Sequence, residues 1–138
     1  MSTEKVAGAK FNFTVTALIE GIWFGLGMIL IPGIYYQITF PTEATVLELY
    51  AFRVIGIMAL ALAIGCWYAR TADIGEVKMM SLIMIIAKVG STILLIGMMV
   101  GAGAQSIGYL NPILTALLAI LNIRQYMSVA SSNKSAVI

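Results

Sequence analysis

The chain has 138 residues, of which 61% are apolar and only 10% are charged. Soluble domains carry about 25% charged residues, so this composition excludes an ordinary soluble domain. The net charge is only +2 and the basic residues are scattered, which argues against a nucleic-acid partner. A single cysteine excludes an internal disulfide, and the lack of histidine removes the commonest ligand of zinc and haem. We therefore expect no cofactor and no bound metal.

Four long apolar segments follow one another, and each has about the length of a membrane-spanning helix, roughly 20 residues. Pro32 predicts a kink or helix end near Ile31, and Thr45 is a candidate cap for the second helix. We predict an all-α protein with one domain over residues 1–138, in which four transmembrane helices form an up-down bundle in the lipid bilayer. The predicted spans cover residues 13–36, 47–69, 77–100 and 109–126.

The charges predict an orientation. Basic residues flank the chain ends and the second loop, namely Lys5, Lys10, Arg70, Lys78, Arg124 and Lys134. The positive-inside rule then places both termini in the cytoplasm, and we expect the plasma membrane of a prokaryote. Aromatic residues predict two interfacial belts, with Tyr35, Tyr36, Phe40, Tyr50, Phe52 and Tyr109 outside and Phe11, Phe13, Trp67, Tyr68 and Tyr126 inside.

Two charged residues interrupt the predicted spans. Glu20 lies about 10 Å from the cytoplasmic edge of the first span, and Lys88 about 16 Å from the same edge of the third, at about 1.5 Å per residue. A lone charge at mid-membrane costs about 2.5–3.5 kcal/mol, so each needs a partner, and each is a plausible partner for the other. The pair either fixes which helices touch, relays protons or ions, or meets a partner subunit or ligand.

Other polar residues recur at helical spacing within the spans. Such stripes face the bundle interior, another protein or a water-filled cavity, so they form either interhelical hydrogen bonds or a path for a solute. Arg53 enters from the outer face, where we expect Glu43, Glu48 or lipid phosphate as its partner. The stripes comprise Asn12, Thr16 and Glu20 on the first span, Ser81, Lys88 and Thr92 on the third, and Asn111, Thr115, Asn122 and Gln125 on the fourth.

Small residues spaced four apart mark possible close helix contacts. They occur at Gly21 and Gly25, at Ala61 and Gly65, and at Gly97 and Gly101. Small residues let helix backbones approach closely in a membrane. The sequence leaves open whether these contacts form inside the bundle or with a partner protein.

Residues 20 to 70 resemble the small four-helix DoxX-like membrane families. The similar features are Ile31-Pro32-Gly33, then Phe52-Arg53-Val54-Ile55-Gly56, a small-residue run from Ala59 to Gly65, and Tyr68-Ala69-Arg70. The resemblance implies a four-helix bundle, and some members of that group accompany quinone-linked oxidoreductases. Arg53 is the only charged position that matches the pattern, and the resemblance assigns no catalytic residue.

The sequence supports three hypotheses for function. The first is an accessory or structural subunit of a larger membrane protein complex, with the resemblance pointing to a redox or respiratory type. The alternative is a small transporter or a conductor of ions or protons that uses Glu20 and Lys88. A membrane enzyme acting on a lipid or quinone is the third, and it is disfavoured because only these two residues could serve as acid and base. We therefore expect no catalytic activity of the chain itself.

Overall fold

The computed structural model describes residues 3–103 and 106–134. This part of the chain is helical and contains no strand, which confirms the predicted all-α bundle. Its elements are α1 (Thr3–Leu18), a π-helix (Ile19–Leu26), α2 (Gly27–Leu30), α3 (Pro32–Thr39), α4 (Val46–Ala69), α5 (Ile74–Ala102), a 3-10 helix (Ser106–Tyr109) and α6 (Leu110–Lys134). The segments long and apolar enough to cross a membrane, here called spans one to four, are Gly8–Leu30, Val46–Ala69, Ile74–Gly101 and Ile107–Ser131. The chain is therefore a multi-pass membrane protein.

Span one ends earlier than its hydropathy predicts. Ile31 has φ −129° and ψ 49°, which lies outside the helical region and separates α2 from α3. A proline lacks a backbone N–H and disfavours a helical conformation of the residue before it. The helix break that Pro32 predicts near Ile31 is therefore confirmed. Residues 32–36, predicted as part of the first span, belong instead to the separate helix α3.

Side-chain caps fix where α4 and α5 begin. The predicted cap at Thr45 is confirmed: its hydroxyl accepts a bond from the Glu48 N–H at 3.3 Å, and Glu48 Oε2 accepts one from the Thr45 N–H at 2.7 Å. Glu48 Oε1 also accepts a bond from the Tyr36 hydroxyl at 2.9 Å, which ties α3 to the start of α4. At α5, the Asp73 carboxylate caps the Glu76 N–H at 2.9 Å. These contacts satisfy N–H groups that lack a partner within the helix.

The helices are not packed equally. Span one packs along α4 and also touches α6, whereas α5 packs mainly against α6. Contact between α4 and α5 is small, and an open cleft of about 500 Å³ lies between them near their connection, lined by Gly65, Ala69, Met80, Ile83 and their neighbours. The order around the bundle is therefore α4, span one, α6, α5.

The small-residue runs divide between contact and open surface. A Cβ atom built on Gly56 would lie 2.9 Å from the Gly25 carbonyl oxygen, and one built on Gly21 would lie 3.4 Å from Ala63 Cβ. The Gly21–Gly25 run is therefore used inside the bundle, against α4. A Cβ atom built on Gly97 or Gly101 would meet nothing within 4 Å, so this run is unused within the described residues.

The predicted aromatic belts are partly wrong. Tyr35, Tyr36, Phe40 and Phe52 are buried in one core cluster, and Tyr35 and Tyr36 each contact the Phe52 ring edge-on. Phe13 is also fully buried. The tyrosine hydroxyls find protein partners inside the bundle, so these rings need not lie at the interface to remain hydrogen-bonded. Tyr50 and Tyr109 at one end, and Phe11, Trp67 and Tyr68 at the other, are exposed.

Candidate functional site

The structure brings Glu20 and Lys88 into direct contact in the middle of the bundle. Lys88 Nζ lies 2.5 Å from Glu20 Oε1, and the two residues are 4% and 0% exposed. The Phe24 ring centroid lies 5.2 Å from the same Nζ, so the ammonium also faces an aromatic ring. Backbone contact between α5 and span one is otherwise slight, and the long lysine side chain bridges them. This ion pair is the centre of the candidate site.

Glu20 is carried by an unusual helix. Ile19–Leu26 is an eight-residue π-helix inside span one, and the Gly27 N–H after it bonds the Ile22 carbonyl five residues earlier. Helical segments of this type are rare and occur frequently at functional sites. The sequence does not predict this segment, because neither apolar periodicity nor propensity distinguishes a π-helix from an α-helix.

A row of buried polar residues extends from the ion pair to the end of the bundle where α1 begins and α6 ends, here called the terminus end. Asn12 and Gln125 meet there, with Asn12 Nδ2 donating to Gln125 Oε1. Between them and the pair lie Thr16 and Asn122, both fully buried. Within the described residues, Thr16 Oγ1, Asn122 Oδ1 and Glu20 Oε2 have no hydrogen-bond partner, nor do Asn12 Oδ1 and Gln125 Nε2. This half of the site is polar but incompletely bonded.

Toward the opposite end, the polar side chains are bonded to one another. Asn111 Oδ1 accepts bonds from the Trp23 Nε1–H at 3.0 Å and the Tyr35 hydroxyl at 2.9 Å. Asn111 Nδ2 donates to Thr39 Oγ1 at 3.0 Å, and that hydroxyl donates to the Tyr35 carbonyl at 2.9 Å. A Cβ atom built on Gly108 would lie 2.6 Å from the Thr39 carbonyl oxygen, so no side chain fits there. The π-helix, α3 and α6 therefore meet at Asn111, and the 3-10 helix packs against α3 beside it.

Hydroxyl groups connect the ion pair to the Asn111 network. Thr92 Oγ1 lies 2.7 Å from the Lys88 carbonyl oxygen and 2.8 Å from Thr115 Oγ1. Thr115 in turn donates to the Pro112 carbonyl at 3.0 Å, one residue after Asn111. Ser81, seven residues before Lys88 on α5, is buried and donates to its own helix at Val77.

The predicted stripes on spans one, three and four thus face one another in the interior. Trp23, Tyr35 and Thr39 were not predicted as members of this group. Their signal in the sequence was ambiguous, because Trp23 and Tyr35 read equally well as apolar packing or as interfacial anchors. Only the position of Asn111 between their helices shows their polar role.

Arg53 lies apart from this site, and the predicted pairing with Glu43 or Glu48 is wrong for the residues described. Its guanidinium lies 5.8 Å from the Tyr50 ring centroid on an exposed face of α4, while Glu48 bonds Thr45 and Tyr36. The Glu48 carboxylate is held by the cap that starts its helix, which leaves the arginine to other partners. Arg53 is thus an exposed residue in the N-terminal half of span two.

The buried pair and its neighbours can hold charge and move protons between oxygen and nitrogen atoms, since carboxylate, ammonium, hydroxyl and amide groups lie in sequence. In the described part of the chain, no three His, Cys, Asp or Glu residues cluster as metal ligands would, and Cys66 is a buried free thiol. Comparison with protein-family models, with curated proteins and with solved structures finds no match to this chain.

Proposed function

We propose that this chain is a small membrane protein that conducts protons, with the Glu20–Lys88 pair as the group that carries the charge. The observation that supports this proposal is a line of buried polar side chains that runs from Asn12 and Gln125 at the terminus end, through the pair, to Asn111. Ionisable residues inside a bundle mark proton and ion paths in membrane proteins.

A purely structural pair accounts less well for the surroundings of Glu20. Well-packed apolar side chains hold helices together as strongly as a buried ion pair or more strongly. A structural carboxylate would also be expected to use its remaining acceptor positions, because a buried oxygen without a partner costs about 1–3 kcal/mol. Among the residues that the structure describes, Glu20 Oε2 has no such partner, and neither has the adjacent Thr16 hydroxyl. These free acceptors favour a group that exchanges a proton.

The proposed step is a change in the pairing of Lys88. A proton that arrives at a Glu20 oxygen neutralises the carboxylate, and the Lys88 ammonium then loses its counter-ion in a low-dielectric interior. The attraction that holds the two groups 2.5 Å apart disappears. Release of the proton toward the opposite end, along the hydroxyl groups of Thr92 and Thr115, restores the pair. Each cycle therefore carries one proton past the site and leaves both side chains unchanged.

Proton flux into liposomes tests the proposal. The purified chain is reconstituted with a pH-sensitive dye inside, and a potassium gradient with valinomycin drives proton entry. We expect flux above that of empty liposomes, and loss of that excess when Glu20→Gln removes the group that takes the proton. The double variant Glu20→Gln with Lys88→Met is expected to fold without a buried charge and to remain inactive.

The control is Glu76→Gln, which changes an exposed carboxylate in the first turn of α5 and is expected to leave flux unchanged. Wild-type flux equal to that of empty liposomes would refute the proposal. Equal flux in the wild type and in a folded double variant would show that the pair carries no proton.

As a second candidate, we propose an accessory subunit of a larger membrane complex, since the surface of α5 favours a partner helix. Gly97 and Gly101 lie on this helix with open space around them, unlike Gly25 and Gly56, which are packed. The cleft between α4 and α5 leaves a second unfilled face. Small residues at a helix surface are typical of contacts between membrane helices.

The apparent mass of the native particle tests this second candidate. Native membranes are solubilised in a mild detergent, and the band that contains the chain is located on a native gel. A subunit is expected in a particle much heavier than one or two copies, and the paired substitution of Gly97 and Gly101 by leucine is expected to release it. Gly8→Leu, at another position with open space, is the control. A wild-type band of one or two copies would reject a stable complex.

A further inference from the structure

The two halves of the polar line differ in how completely they are bonded. On the terminus side of the ion pair, Thr16, Asn122 and Glu20 each carry a buried oxygen without a partner in the described structure. On other helices, Ser81, Thr92 and Thr39 donate to the carbonyl four residues earlier, but among the described residues Thr16 makes no such bond. On the far side, Asn111 uses both its amide oxygen and its amide nitrogen.

This difference has an energetic consequence. A buried polar group without a partner is destabilised relative to the same group in water, whereas a bonded one gains little from hydration. Opening the terminus half to water would therefore relieve unpaired groups, and opening the far half would break existing bonds. The side-chain contact that closes the terminus half is the bond from Asn12 to Gln125, and Asn12 Nδ2 also donates to the Leu121 carbonyl at 3.4 Å.

We infer that water reaches the ion pair from the terminus end, through a path that opens where Asn12 meets Gln125 and is lined by Thr16 and Asn122, while the Asn111 network keeps water out of the far end. The ligand is water, which supplies the donors that the unpaired oxygens lack. The inference rests on the proposed function and deepens it by naming the end at which water delivers protons to the pair; beyond the pair, protons pass along the bonded hydroxyl groups of Thr92 and Thr115. The inference is tested by the access of Ag⁺ to introduced cysteines and the proposed function by proton flux, so either of them can fail while the other holds.

Thr16 and Thr115 form a matched pair for this test. Each lies eight residues from the start of its span, Gly8 or Ile107, which is a depth of about 12 Å from opposite ends at about 1.5 Å per residue. Thr16 is 0% and Thr115 1% exposed. They differ in bonding, since Thr115 contacts Thr92 and donates to the Pro112 carbonyl.

Thr16→Cys and Thr115→Cys are each made in the Cys66→Ala variant, so that the introduced cysteine is the one thiol in each protein. Each protein, in lipid nanodiscs that expose both ends, is treated with Ag⁺, a small ion that reaches thiols through water. Free thiol is then measured by alkylation in SDS and mass spectrometry. We expect Thr16→Cys to react about tenfold faster or more, since opening its half relieves unpaired groups.

Removing the closing contact should increase access further. We expect Gln125→Ala to raise the Ag⁺ rate at Thr16→Cys and to leave that at Thr115→Cys unchanged. Asn122→Cys, on the same path on α6, repeats the measurement if Thr16→Cys does not fold. Equal rates in the two halves, or a rate at Thr16→Cys that Gln125→Ala does not alter, would overturn the inference.

Discussion

Replacement of Lys88 by methionine is expected to destabilise the bundle by about 3–5 kcal/mol, because it leaves the buried Glu20 carboxylate without its partner. Glu20→Gln should cost a similar amount by leaving the Lys88 ammonium unpaired. Combining the two changes removes both charges, and most of the loss should be recovered. The measurement is a double-mutant cycle on the SDS fraction at which the reconstituted chain unfolds. It separates the strength of the pair from the cost of each lone charge.

Lys78→Met is the matched control for this cycle. It makes the same change on the same helix, ten residues earlier, where the ammonium is only half-buried and lies 5.6 Å from the Tyr126 ring. We expect a loss of about 1 kcal/mol or less at such a position. If the double variant lost as much stability as the two single variants added together, the two residues would not be energetically coupled, and the contact would not explain why both charges are tolerated.

The cycle also bears on how much of the site could be predicted. The depth of Glu20 and Lys88 follows from the helix rise and the span limits, so the sequence alone indicates that they lie at similar levels on the same half of the bilayer. The stripes of Ser81, Asn111 and Asn122 follow from helical spacing in the same way. What faces inward is therefore well determined by periodicity, because each polar group in a membrane must find a partner.

The parts that could not be predicted depend on how closely each pair of helices packs. The order of helices is the one that an up-down bundle with consecutive neighbours implies, yet α4 and α5 hardly touch, and only the packing shows this difference. The Asn111 network follows from this arrangement, since it requires α3 and the π-helix to meet α6. The aromatic pattern likewise predicts Tyr35 at the membrane interface, because a sequence pattern does not show that the Tyr35 hydroxyl bonds inside the bundle.

The Asn111 network gives the second large expected effect. Asn111→Ala should lower the free energy of unfolding by about 2–4 kcal/mol, because the Trp23 indole and the Tyr35 hydroxyl lose their acceptor and Thr39 loses a donor. The measurement is SDS unfolding followed by tryptophan fluorescence in a Trp67→Phe background, so that Trp23 alone reports.

Asn122→Ala is the control, since it removes the same side chain from the same helix at a fully buried position with one bond, to the Leu118 carbonyl at 2.8 Å. Its loss should be about 1 kcal/mol, the net value of one hydrogen bond. A loss at Asn111 no greater than at Asn122 would mean that the far end is not held by its hydrogen bonds. The larger loss at Asn111 is what a one-sided path requires, because the end that stays closed must be the end whose polar groups are better bonded inside the protein than they would be to water.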